Sequence, residues 1–258
     1  DTPQTVLADL RDEATINHIF DTRKPEVVFH AAALKHLPLL ERYPLEAYQT
    51  NVLGTLTLLN AAQRTGVGVF VNISTDKAAN PISVLGYSKR IAERVTAAGG
   101  QTAKSGKYMS VRFGNVLGSR GSVLMSFRDQ IAKGGPLTVT HRGVTRYFMT
   151  ISEAVQLVIQ AGAIGRSGEA LVLDMGTPVS IYDVAKQLVA NSGKPVEIEI
   201  VGLRAGEKVH EELFGDGEDD TSPRHPLISH VPVLPVDLGL LTPNPIDARE
   251  TMLRIIAN

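Results

Sequence analysis

The chain has 258 residues, 43% of them hydrophobic, a formal net charge of −1 and no cysteine. That is enough for one large domain or two closely joined ones, and the near-zero charge argues against electrostatic docking to nucleic acid or a membrane surface. Disulfides and thiolate metal sites are excluded, the scattered histidines show no metal-ligand spacing, so no metal is expected, and no apolar run approaches the roughly 20 residues that span a bilayer; a reducing cytoplasmic setting fits.

In chain order, Thr5-Val6-Leu7-Ala8 reads as a strand ending at Asp9, followed by a helix over 12–20. A short apolar strand over 26–30 ends in Ala31-Ala32-Ala33, small residues that let another molecule approach the backbone. Residues 43–64 carry apolar side chains at helical spacing (Leu45, Tyr48, Val52, Leu56, Leu59, Ala62) and stop at Gly66. The strand over 69–73 then delivers Ser74-Thr75-Asp76-Lys77, and a helix over 85–98 carries Lys89. The strand over 107–113 closes on Gly114-Asn115. This alternation predicts an α/β fold, a Rossmann-like doubly wound parallel sheet, with ligands at the carboxyl ends of its strands.

Beyond residue 118 the segments shorten and turn residues increase, as in Lys133-Gly134-Gly135-Pro136. Helices are expected over 152–163 and 180–192, a strand over 196–201, and extended loops over 215–245. The division predicted is a dinucleotide-binding part over 1–118 and a smaller, mainly substrate-binding region over 119–258. A doubly wound nucleotide-binding domain normally opens with a strand, a glycine-rich turn and a helix that cradles the pyrophosphate. None precedes Asp9, so the sheet is expected to start at its third strand, with the first ones missing from this chain.

Several segments together resemble one family. They are Ala8-Asp9-Leu10-Arg11-Asp12, His30 through Pro38, Thr50-Asn51-Val52-Leu53-Gly54-Thr55, Ile73 through Pro81, Val111 through Ser122, and Gly202-Leu203-Arg204-Ala205-Gly206-Glu207-Lys208. The chain resembles the extended short-chain dehydrogenase/reductases, and within them the CapD-like UDP-N-acetylglucosamine 4,6-dehydratases of polysaccharide and glycan biosynthesis. The resemblance implies NAD as cofactor, a UDP-sugar as substrate, a homo-oligomer, and in larger members a membrane anchor upstream of residue 1.

It also implies roles. Asp76 is the acid for the C6 hydroxyl and Lys77 the base at C5. Asp76 should then have its pKa raised by burial and Lys77 a lowered one. Lys89 falls where the superfamily's cofactor lysine lies. The superfamily's tyrosine, four residues before that lysine, is Leu85 here, and Tyr87 lies about 200° round the helix from Lys89. In the subset lacking that tyrosine, the threonine before Asp-Lys handles the C4 hydroxyl proton, a role that passes to Thr75. Asp9, Leu10, Ala31, Ala32, Ala33, Asn51 and Ser74 are expected along the cofactor, with Asn51 also readable as a bridge holding the active-site loop. Lys35 and His36 are expected to face the sugar. Asn115, Arg146, Arg204 and Glu207 are expected at the nucleotide end, where a guanidinium fork suits a diphosphate. The rival readings are a UDP-sugar epimerase, which needs no acid for the C6 hydroxyl, and a non-catalytic nucleotide-binding module, in which Asp76-Lys77 is a capped turn with an ion pair.

Overall fold

The computed structural model describes residues 4–119, 121–221 and 225–258. Arg120, within one of the segments that carry the resemblance, lies outside the described residues. Among the described residues, five strands form the main sheet, in the order β1 (Val27–His30), β2 (Val69–Ile73), β3 (Lys107–Arg112), β4 (Glu169–Leu173) and β5 (Ile228–Pro232). The first four run parallel, and β5 pairs antiparallel with β4. Apolar runs such as Val-Phe-Val-Asn-Ile in β2 suit strands covered on both faces.

The longer helices are α1 (Glu13–Arg23), α2 (Gly54–Thr65), α3 (Val84–Thr102), α4 (Val123–Ala132), α5 (Ile151–Ile164), α6 (Ile181–Ser192) and α7 (Ala248–Ala257). Side chains alternate across the sheet. Phe70 and Tyr108 pack with Phe20 of α1, Leu59 of α2, Ile91 of α3 and Met252 of α7. Val71 and Met109 face the other way, against Leu157 and Ala161 of α5. A separate core joins Phe127 and Ile131 of α4 to Ile181 and Ala185 of α6 and to Leu137 and Val139. Leu137–Val139 pairs in parallel with Ile198–Ile200, inside the strand expected over 196–201.

The helix expected over 43–64 is continuous but not uniform. Pro44–Ala47 is α-helical, Tyr48–Leu53 widens into a π-helix, and α2 completes it. Gly66, at φ 76°, closes α2 in the left-handed conformation. Two expectations fail. Residues 5–8 form no strand: they are exposed, Leu7 fully so, and among the described residues no neighbouring strand offers partners for their N–H and C=O groups. The stretch expected as loops over 215–245 contains β5, which is held to the sheet by its ladder with β4 and by buried His230, whose Nδ1 lies 2.9 Å from Glu169 Oε2. Strand β4 and helices α4 and α7 were not anticipated. Two of the five main strands thus come from beyond residue 118, while 119–164 travels out to the third core and back.

Candidate active site

The Ser-Thr-Asp-Lys segment leaves the carboxyl end of β2 and stays laddered to β3. Ser74 N donates to Val111 O at 2.7 Å and Asp76 N to Phe113 O at 3.0 Å. Thr75 caps a 3-10 turn over Asp76–Ala78. Two glycines let neighbours close on this turn. A Cβ at Gly86 of α3 would lie 2.5 Å from Lys77 O, and one at Gly114 would lie 2.9 Å from Asp76 Oδ2.

Asp76 is fully buried. Its Oδ1 accepts from Thr75 Oγ1 at 2.9 Å and from Lys77 Nζ at 2.9 Å, while Oδ2 is buried without a partner. Lys77 Nζ also lies 3.4 Å from Glu211 Oε1. The lowered pKa expected for Lys77 is not found. Burial pushes it down, but the carboxylates of Asp76 and Glu211 outweigh burial and Arg146, and the pKa ends above the ordinary amine value. Resting Lys77 is an ammonium.

Lys89 behaves differently. It is buried, donates to Ile73 O at 2.5 Å, and burial brings its pKa down to about 8 against the opposing charge of Glu93. Leu85, one helical turn earlier, is also buried and lines the same cleft as Thr75 and Lys77. Tyr87 packs against the core instead. Beneath the turn, Glu93 accepts from Ser74 Oγ at 2.6 Å and from Arg112 Nη2 at 2.8 Å, and Arg112 Nη1 reaches Glu218 Oε2 at 2.6 Å. The Ser74 hydroxyl is therefore committed to Glu93.

A cleft of about 580 Å³ opens over Thr75 and Lys77. It is lined by all six residues expected at the substrate, Lys35, His36, Asn115, Arg146, Arg204 and Glu207. Arg146 is buried and reaches Glu207 at 3.3 Å. Arg204 stays exposed at a turn where its N–H donates to Glu207 Oε2 at 3.2 Å. A second hollow, of about 380 Å³, is lined by Asp9, Leu10, Ala32 and Ala33. Ala31 to Ala33 are exposed, and the carboxylate of Asp9 is held by Arg11 at 2.8 Å, with a pKa of about 2. Asn51 holds the intervening loop: Oδ1 accepts from Leu34 N at 2.8 Å, and Nδ2 donates to Leu34 O at 2.9 Å and to Ser88 Oγ at 3.0 Å.

Sequence reasoning missed Glu211. It lies in a loop without regular structure, and nothing in Val209-His210-Glu211-Glu212 marks one carboxylate for burial. It also missed the Glu93–Arg112–Glu218 network, for which a glutamate on the buried side of a long helix was the available signal. Among the described residues no group of three or more His, Asp or Glu could hold a metal, and no helix is long and apolar enough to cross a membrane.

A parallel sheet with clefts at the carboxyl ends of its strands defines the Rossmann-like α/β class. Residues 2–232 match a family described as polysaccharide biosynthesis protein, and the chain belongs to that family. It is 51% identical over 216 residues to the capsular polysaccharide biosynthesis protein CapD of Staphylococcus aureus, covering 83% of this chain and 36% of that protein. It is 50% identical over 217 residues to the probable polysaccharide biosynthesis protein EpsC of Bacillus subtilis, with the same coverages. The chain thus spans little more than a third of these relatives. A UDP-glucose 4-epimerase of Rickettsia akari is 39% identical over 210 residues, 80% of this chain and 60% of that one. Among solved structures, Pen from Bacillus thuringiensis superposes with a TM-score of 0.80 at 29% identity, covering 99% of this chain and 82% of that one. DesIV, a dTDP-glucose 4,6-dehydratase from Streptomyces venezuelae with NAD bound, superposes with a TM-score of 0.73 at 23% identity, covering 81% of this chain and 70% of that one, so the two share a fold.

Proposed function

We propose that the chain is part of an NAD-dependent nucleotide-sugar 4,6-dehydratase that converts UDP-N-acetylglucosamine to a UDP-4-keto-6-deoxy sugar for polysaccharide assembly. Residues 1–118 serve mainly the dinucleotide and 119–258 mainly the substrate. The observation that carries the reading is the Thr75–Asp76–Lys77 cluster on the floor of the cleft: a buried carboxylate with one oxygen unpaired, bonded on the other to a hydroxyl and an amine. Simple C4 epimerisation has no use for that carboxylate, and a binding module has no use for the amine.

The residues present fit a dinucleotide. The hollow beside Asp9 and Leu10 meets the exposed alanines after β1, where a phosphate or ribose can come close. Ile73 O takes one of the three donors of Lys89, a number that leaves two for ribose hydroxyls. When bound, NAD⁺ supplies the acceptor for hydride from C4 and its return to C6.

The chain's own residues handle the protons. Thr75 accepts the C4 hydroxyl proton and passes its own to Asp76 Oδ1, arming Asp76 as an acid. Lys77, in its amine form, takes the C5 proton, which the 4-ketone has acidified. Asp76 gives its proton to the C6 hydroxyl, which leaves as water. Lys77 then returns its proton to C5, and both groups end as they began. Because resting Lys77 is an ammonium, it sheds one proton before the first turnover, so the rate rises with pH as Lys77 becomes the neutral amine.

The test is mass spectrometry of UDP-N-acetylglucosamine incubated with the full-length protein. Loss of one water supports the dehydratase. An isomer of unchanged mass supports the epimerase, and no change supports the binding module.

A further inference from the structure

We propose that Glu211 is a positioning residue that strengthens Lys77 as a base, by stabilising the ammonium formed when Lys77 takes the C5 proton. The inference rests on the reading of Lys77 as that base. The Glu211 carboxylate is buried and stands between two cations: Oε1 is 3.4 Å from Lys77 Nζ and 3.9 Å from Arg146 Nε, and Oε2 has no partner. The loop that carries it is tied down just before Glu211, by Thr145 N to Val209 O at 3.0 Å and by Lys208 Nζ to Ala79 O at 3.1 Å. Glu212 Oε2 accepts from Asn80 Nδ2 at 3.1 Å, next to the turn that bears Lys77.

The charged groups facing Lys77 are Asp76, Glu211 and Arg146. Asp76 is neutralised at the moment it is armed with the C4 proton. From then on Glu211 is the one carboxylate of the three groups that still carries negative charge, and it is the group that favours proton transfer from carbon to Lys77. A C5–H beside a ketone is a weak acid, so a stronger base increases the driving force for its removal. Arg146, shared by Glu211 and Glu207, moderates that charge.

The test has two readouts in the full-length protein. Competitive acetylation, with the Lys77 peptide followed by mass spectrometry against pH, reports the titration of Lys77 without substrate or turnover. Glu211→Gln keeps shape and removes charge, and should move the Lys77 midpoint about 1–3 units to lower pH. Glu211→Asp keeps the charge and should recover most of that shift. In turnover, Glu211→Gln should move the rising limb of the pH–rate profile down by the same amount while lowering its plateau. A purely structural Glu211 would scale the whole profile without moving it. An unmoved Lys77 midpoint in a folded Glu211→Gln protein overturns the proposal. A moved midpoint together with C5 exchange that survives Lys77→Met upholds the Glu211–Lys77 coupling and overturns Lys77 as the base, which separates the two readings.

Discussion

The Glu218→Gln substitution tests whether the charge network under the active-site turn stabilises the fold. Glu218 Oε2 lies 2.6 Å from Arg112 Nη1 and accepts Gly215 N–H at 2.7 Å, while Oε1 lies 2.6 Å from Arg90. Burial works to raise the pKa of this carboxyl, but Arg112, the Gly215 N–H and Arg90 outweigh burial and bring it from 4.5 to about 2. At about 1.4 kcal/mol per unit, that difference stabilises the folded protein by about 3 kcal/mol at neutral pH. Since the folded pKa is the lower one, the contribution is complete above about pH 4.5 and disappears as pH falls toward 2. Glu218→Gln should therefore cost about 3 kcal/mol at pH 7, measured by urea unfolding followed by circular dichroism. The gap between variant and wild type should narrow through the acid window. A loss under about 1 kcal/mol at pH 7, or a gap that does not change down to pH 3, would refute the reasoning.

Three other outcomes follow from the geometry. Asp76→Asn and Lys77→Met should each slow dehydration by about 10²–10⁴-fold with little change in KM, and Lys77→Met should suppress exchange of the C5 proton in deuterated water. Thr75→Val should cost about 10²-fold in turnover; Leu85→Tyr in that background should restore part of it, because a phenol at position 85 sits one helical turn from Lys89, and an unimproved double variant would sink that idea. Gly86→Ala improves helix propensity by about 1 kcal/mol, yet its Cβ, 2.5 Å from Lys77 O, should displace the turn and abolish turnover; a more stable and fully active variant would show that the turn gives way freely.

Much of the site was legible because it is local. Thr75, Asp76 and Lys77 are consecutive, and Leu85 and Lys89 share one helix face, so strand-end and helix-turn arithmetic places them without tertiary knowledge. The apolar spacing of 43–64 likewise marks a buried helix, and parallel strands separated by helices fixed the α/β class. What escaped depends on partners far along the chain. Residues 5–8 have strand-forming side chains but, among the described residues, no strand beside them. Strand β5 looks like a polar, proline-bearing loop, and its place depends on β4. The lowered pKa expected for Lys77 followed from its role as a base, and the carboxylate of Glu211, which helps raise it instead, arrives from a distant irregular loop.

The π-helix at Tyr48–Leu53 has a consequence for tolerance to length change. Such a segment is an α-helix with one surplus residue, so the helix before it and the helix after it are out of phase by about 100°. Here the surplus turns the amide of Asn51 toward both Leu34 and Ser88, coupling the loop after β1 to α3. Deleting one residue between 48 and 53 would leave a more regular helix, but it would turn the buried side chains after the deletion by about 100° relative to those before it. That same deletion would swing the amide off its partners and uncouple the loop after β1 from α3. In this helix, then, regularity and function are opposed, and the irregular turn is the part that a shortened or idealised sequence could not dispense with.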